Sequence, residues 1–223
     1  MTLSFDTGLD ASTPRTGLLM DDKRELEETV IAVAQAHGLD ISAMGEVARR
    51  SERELSDFRR QLRLDDATFR QIGVVLTGSF ARREVTDTSD CDFLVLVDGL
   101  VPHGLITRAI QQVNDLAREK RYGDVGSQGV FGDFAIGTEL MARIGLDADT
   151  NVNTTRRLLM LFESVSVFND EVRERLIRQL LERYCTDYDP RSSRSNIDRV
   201  NVPRFLLNDL VRYWRTMAVD FGA

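Results

Sequence analysis

Two short apolar runs, Val74-Val75-Leu76 and Phe93 to Val97, interrupt a chain whose hydrophobic positions otherwise recur at helical spacing. Runs of this length bounded by turn residues predict buried strands. Between them lie a Gly-Ser turn at Gly78-Ser79 and a polar connection, and the second strand carries two carboxylates two positions apart, Asp90 and Asp92. Upstream, Leu26, Val30, Val33 and Ala34 share one face of a helix that starts at Asp21 and is closed by Gly38. Met44, Val47, Leu55, Phe58 and Leu62 predict a second helical region from Ile41 to about Arg70. Both are expected to pack against the sheet, with the charged run RRSERE as a solvated face.

Downstream, Ile106, Ile110, Val113 and Leu116 predict a crossover-like helix from about Leu105 to Lys120, and VFGDFA reads as a short third strand. From Asp147 the pattern is helical: Thr155 to Phe162, Asp170 to about Tyr184, and Val202 to Phe221. The segment DYDPRSSRSN between the last two reads as a loop. The final helix carries Phe205, Leu206, Leu210, Val211, Trp214, Met217 and Phe221 on or near one face, which packing explains. Its arginines, Arg204, Arg212 and Arg215, are expected to pair with Asp209 at the surface or to reach a phosphate. Residues 1–20 lack periodicity and read as a loose tail. A terminal amphipathic helix suits either a docked element or a piece of a longer chain.

The chemistry concentrates between the two strands. Alternation along a strand points Asp90 and Asp92 one way and Cys91 the other. Two neighbouring carboxylates repel unless a positive charge lies between them. Magnesium, or manganese in its place, meets that need, being held by one or two carboxylates together with substrate phosphates. Gly78 lets the backbone approach a ligand closely, the N–H groups of the following turn suit an anion, and Ser79 adds a hydroxyl. Carboxylates on one side and phosphate donors on the other describe a site for a nucleoside triphosphate. The phosphate loop GxxxxGK[ST] is absent, so an ordinary ATPase or GTPase reading has no support.

Composition narrows this only a little. The chain has 223 residues, enough for a substantial core, and its 42% hydrophobic and 29% charged residues are those of a globular protein. No apolar run approaches the length of a membrane span and the N-terminus lacks a signal-like pattern, so a cytoplasmic protein without a membrane partner is expected. A net charge of −7 argues against broad nucleic-acid affinity. Lys23 and Lys120 are the only lysines, and the arginine excess carries no functional conclusion. Cys91 and Cys185 fit neither a disulfide framework nor a zinc pattern, and His37 and His103 form no cluster.

Gly78-Ser79 followed by Asp90-Cys91-Asp92 between hydrophobic strands resembles the signature of the DNA polymerase beta superfamily of nucleotidyltransferases. The string GSFARREVTDTSDCD is most similar to the branch that holds the uridylyltransferase domain of the nitrogen signal-protein modifying enzyme. Arg82, Glu84 and Ser89 stand where that branch has an arginine, a glutamate and a serine. Arg83 stands where it usually has a small residue. More weakly, the resemblance extends to about residue 168, through LLMLFES.

The resemblance implies an α+β fold: a small mixed sheet flanked by N-terminal and C-terminal helices. The expected divisions are a tail (1–20), a nucleotidyltransferase core with leading helices (21–147) and a C-terminal helical region (148–223). It also implies a magnesium-dependent transfer of a nucleoside monophosphate from a triphosphate to an acceptor hydroxyl, with release of pyrophosphate. A protein is the expected acceptor; a small molecule, an RNA end or a second nucleotide stays open. Asp90 and Asp92 are the expected metal ligands, and Asp133 the third, with Asp124 and Glu139 as alternatives and a simple turn role also open. Gly78 and Ser79 are expected to bind the outer phosphates, joined by Arg82 unless it pairs with Glu84. The alternative function is a catalytically weak nucleotide-binding sensor; one half of a toxin and antidote pair would change the biology and not the chemistry.

Overall fold

The structure, a computed structural model, describes residues 29–123, 131–186 and 203–220. The chain divides into two compact units, residues 1–46 and 47–223. In the first, residues 29–36 form helix α1, which Gly38 closes at a left-handed φ of 66°. Leu39 N–H donates to Ala34 O at 2.9 Å and Gly38 N–H to Gln35 O at 3.1 Å, a pairing that occupies the last carbonyls of the helix. This is the stop expected at Gly38. Helix α2, Ser42–Gln61, starts in this unit and continues into the next.

The second unit is built on a four-stranded sheet of order β3-β2-β1-β4. β1 (Ile72–Thr77) pairs antiparallel with β2 (Phe93–Val97), and β4 (Ser164–Phe168) pairs antiparallel with the other edge of β1. β3 (Asp133–Ile136) lies parallel to β2. The remaining helices are α3 (Ser79–Arg82), α4 (His103–Glu119), α5 (Gly137–Ala142), α6 (Asn151–Phe162), α7 (Asp170–Thr186) and α8 (Arg204–Asp220). The expected α+β class with a small mixed sheet is therefore the class observed. Among the described residues no helix is long and apolar enough to cross a membrane.

Every residue of β1 and β2 is buried, because helices cover both faces. That is why these strands read as unbroken apolar runs rather than as alternating ones. Val74, Leu76, Phe93, Val95 and Val97 share one core with Leu55 and Phe58 of α2 and Ile106, Ala109 and Val113 of α4. Val75, Leu94, Leu96 and Ala135 share the other with Leu140 of α5, Met160 of α6 and Val172, Leu176 and Leu180 of α7. Each fully buried large aliphatic or aromatic side chain contributes roughly 1.5–3 kcal/mol. These two strands are the most strongly anchored part of the unit.

Helix α5 was not read from the sequence, and three further features depart from that reading. α2 stops at Gln61, not near Arg70, because Leu62, Leu64 and Phe69 all enter the core and Leu62 and Leu64 cannot do so from one helical face. Asp65 then turns the chain, accepting Ala67 N–H at 3.1 Å. β4 lies in a stretch read as helical, and it places part of the region beyond residue 147 in the sheet itself. Its outer carbonyls are covered by arginines: Arg59 donates to Ser166 O at 3.0 Å and Arg173 to Ser164 O at 3.3 Å.

The third departure is Asp209, which was expected to pair at the surface of the last helix. It is 2% exposed and binds Arg157, itself wholly buried. Arg157 makes a two-pronged pair with Asp149 at 2.9 and 2.7 Å, reaches Asp209 at 2.6 Å, and donates to Leu140 O at 3.1 Å. Tyr184 OH donates to Asp209 at 2.6 Å. α8 is thus joined to α6 and α7 by a buried polar network, while Leu210, Met217 and Tyr213 pack beside it. Val211 and Trp214, expected on the packed stripe, are exposed, and Arg212 bonds Asn151 instead of Asp209. The tail at 1–20, the loop read over DYDPRSSRSN, Asp124 and Phe221 lie outside the described residues.

Candidate functional site

All four strands bring one end to the same edge of the sheet. β1 finishes there at Thr77, and β2, β3 and β4 begin there, so Gly78, Asp92, Asp133 and Glu163 come from distant parts of the chain to one place. The tightest junction is between the first two. Thr77 N–H donates to Asp92 O at 2.9 Å and its hydroxyl to the same oxygen at 3.3 Å. This bond fixes the second carboxylate of the Asp-x-Asp pair against the end of the glycine-bearing strand.

Gly78 follows at φ 58° and ψ −130°, a conformation that side-chain-bearing residues rarely adopt. A Cβ placed on it would lie 3.4 Å from Asp92 Oδ2, so backbone and carboxylate nearly touch. Gly78→Ala is expected to cost about 1–3 kcal/mol through the backbone alone, measured as a lowered urea midpoint. Ser79 is half-buried at the start of the single turn α3, and its carbonyl accepts Glu84 N–H at 2.8 Å. α3 closes at Arg83, φ 61°, in the left-handed region that favours glycine.

The expectation that both aspartates lie in the second strand is not met: Asp90, Cys91 and Asp92 precede β2, which starts at Phe93. Cys91 is wholly buried in the core shared with α2 and α4, and burial, followed by the neighbouring Asp92, pushes its thiol up to about 12. It remains a protonated packing residue, not a nucleophile. Asp92 is half-buried with its Oδ1 atom turned inside, and Asp90 is exposed. Asp90 is tied through its backbone to Gly123 by an isolated parallel bridge.

Asp133 begins β3 opposite Leu94, and its carboxylate is paired with Arg156 of α6 at 2.9 Å. Arg156, 8% exposed, also donates to Phe134 O at 3.0 Å. Glu139 lies in the first turn of α5, past the opposite end of β3. Among the described residues no group of three or more His, Cys, Asp or Glu side chains is placed to hold a metal ion. The groups read as the site are the carboxylate oxygens of Asp90 and Asp92 and the Ser79 hydroxyl, with the N–H groups of the Gly78 turn as the anion donors. That donor chemistry suits a hard divalent cation carrying phosphates.

Arg82 is held on two sides, by Glu84 at 2.8 Å and Glu163 at 2.5 Å. Burial opposes its charge, but the two carboxylates outweigh this and hold the guanidinium firmly protonated. Tyr213 OH of α8 donates to the second oxygen of Glu163 at 2.6 Å. Burial, then the Glu163 carboxylate, raises the Tyr213 phenol above its ordinary range, so it stays a donor.

The connection between Arg83 and Ser89 is held by α2, through the very run read as a solvated face. Val85 N–H donates to Ser51 Oγ at 2.9 Å, and Ser51 donates on to Val47 O at 2.8 Å. Arg50 pairs with Asp87 at 2.6 Å and Glu52 with Arg83 at 3.3 Å. Ser89 Oγ accepts Thr86 N–H at 2.9 Å, closing the turn before Asp90. Ser51→Ala leaves a buried N–H without its acceptor and is expected to cost roughly 1–3 kcal/mol, read from chemical denaturation. Sequence reasoning missed Ser51, although a serine in register with Leu55, Phe58 and Leu62 is a visible break in an apolar stripe. It also missed Thr77, Glu163, Arg156 and Tyr213, whose roles depend on partners distant in sequence.

No curated protein and no solved structure matches this chain. Residues 53–127, from the second half of α2 through β1, the Gly78 turn, Asp90, Asp92 and α4, match the family model described as nucleotidyltransferase domain.

Proposed function

We propose that this protein transfers a nucleoside monophosphate from a nucleoside triphosphate to an acceptor hydroxyl, releasing pyrophosphate. The observation that carries the reading is the junction of the Gly78 turn with Asp92, held by Thr77, inside the segment that matches the nucleotidyltransferase model. Asp90 and Asp92 would hold a magnesium or manganese ion. Such an ion, when bound, offsets negative charge on the phosphates and lowers the pKa of an attached hydroxyl.

The chain's own groups then have separate tasks. The N–H groups of the Gly78 turn and the Ser79 hydroxyl orient the outer phosphates. Asp133 is the third carboxylate of the proposal, and it serves once its oxygens turn from Arg156 towards the site. Arg82, paired with Glu84 and Glu163, follows the other reading given for it and is not counted among the phosphate donors. Positioning and electrostatics carry most of the rate in phosphoryl chemistry, so these placements matter more than any single proton transfer.

A protein is the proposed acceptor and the cytoplasm the proposed location, on the resemblance of GSFARREVTDTSDCD to the signal-protein uridylyltransferase branch and on the net charge of −7. A second reading is a sensor that binds the triphosphate without turning it over. It is favoured by the pairing of Asp133 with Arg156, which leaves two carboxylates and not three at the junction.

The test is label transfer and pyrophosphate release from ATP, GTP, CTP and UTP, with magnesium or manganese, in cell extract. Transfer that vanishes in Asp90→Ala/Asp92→Ala is the expected result, and the labelled species gives the acceptor class. Binding without release selects the sensor, and neither binding nor release overturns both readings.

A further inference from the structure

We propose that Gly123 is a positioning residue: its missing side chain is the space in which the Asp90 carboxylate is held. The inference rests on the reading of Asp90 as a cation ligand. Asp90 is exposed and precedes β2, so neither core packing nor a strand ladder orients its side chain. Two backbone contacts bring Gly123 to it. The residues form an isolated parallel bridge, and Gly123 N–H donates to Ser89 O at 3.3 Å.

A Cβ on Gly123 would overlap Asp90 Oδ1 and lie 3.2 Å from its Cγ and 3.7 Å from its Cα. The carboxylate therefore lies flat against the glycine backbone. Glycine is not needed there for its backbone freedom, since Gly123 is outside the left-handed region. What alanine would displace is the mobile end of one side chain, and swinging Asp90 aside relieves the overlap. The expected consequence is selective: the fold survives, while the pair Asp90 and Asp92 no longer converges on one cation. Tyr122 strengthens the point. Its hydroxyl donates to Glu54 of α2 at 2.6 Å and its ring packs edge-on against Phe80 at 5.1 Å, so the strip before Gly123 is anchored and cannot easily retreat.

The experiment compares wild type, Gly123→Ala, Asp90→Ala and the double variant, by thermal melting without metal, by manganese titration followed by spin resonance, and by label transfer. Gly123→Ala should melt within about 2 °C of wild type and bind manganese about 10- to 100-fold more weakly, the range for residues that orient metal ligands. In the Asp90→Ala background the same substitution should change manganese affinity less than about twofold, because the two act through one carboxylate.

Wild-type manganese affinity in Gly123→Ala overturns the proposal, as does an equal loss in both backgrounds. Should Gly123→Ala fail to fold, recovery in the double variant supports the overlap with Asp90, and failure of the double variant overturns it. Label transfer separates the two readings. A wild type that binds manganese in this Gly123-dependent way yet transfers nothing defeats the nucleotidyl-transfer reading and leaves the positioning role standing.

Discussion

Asp92→Asn is expected to reduce label transfer by about 10³-fold or more, the several kcal/mol that a lost charge-compensating ion represents, without loss of structure. The substitution keeps the size and shape of the side chain. It also keeps the bonds that fix this position, because Thr77 holds Asp92 through the main-chain oxygen. Removing one of two neighbouring carboxylates relieves their repulsion, so the metal-free variant should melt at or above the wild-type temperature, as functional sites often trade stability for activity. Saturating magnesium should then raise the melting temperature of the wild type and not of the variant, since only a state that binds the ion is stabilised by it. Equal transfer by variant and wild type would remove Asp92 from the chemistry. Equal magnesium stabilisation would remove it from the cation site.

The largest loss of stability is expected away from the site, at Arg157. Arg157→Ala leaves the buried side chains of Asp149 and Asp209 facing one another without their cation. Breaking a buried pair in this way costs about 3–5 kcal/mol. For a chain of this size that lowers the melting temperature by roughly 10 °C or more. The cause lies in the three carboxylate-binding nitrogens of a wholly buried guanidinium: burial opposes its charge, yet Asp149, Tyr184 and Asp209 hold it firmly protonated. The triple replacement Arg157→Met, Asp149→Leu, Asp209→Leu should recover much of the loss, because apolar side chains of similar volume remove the desolvation cost as well as the attraction. Calorimetry of the two variants checks both statements. A loss below about 1 kcal/mol in Arg157→Ala, the size of an ordinary substitution, would mean that α8 is held by its other contacts, Phe205, Leu206, Leu210 and Tyr213 among them, and not by this network.

These effects differ in how far they were legible in the chain. Asp92 was, because an Asp-x-Asp pair after a Gly-Ser turn and before an apolar strand is a local pattern, although the pair lies ahead of β2 and not in it. Arg157 was not. In the sequence it sits beside Arg156 within an amphipathic helix, and nothing local distinguishes the arginine that pairs with Asp133 from the one buried among four helices. β4 was partly legible, since Ser164-Val165-Ser166-Val167-Phe168 alternates, but helices one residue away on either side hid it. The Gly-Ser turn was legible, whereas the clamp on the connection after it was not. Charged runs usually face water, and only the packing of Leu55 and Phe58 under the sheet turns Ser51, Arg50 and Glu52 towards that connection.

By itself the sequence determined the two buried strands, helices α4, α6, α7 and α8, the stop at Gly38, the glycine turn and the paired aspartates. All of these follow from rules acting over a few residues: the period of apolar positions, the freedom of glycine and the short spacing of a motif. Only the tertiary structure decided which polar groups meet. Ser51 bonds Val85 across 34 residues, Arg157 bonds Asp209 across 52, and Arg82 bonds Glu163 across 81. A hydrogen bond or ion pair leaves no periodic trace in the chain, and its partner is selected by where the packed apolar faces bring the backbone.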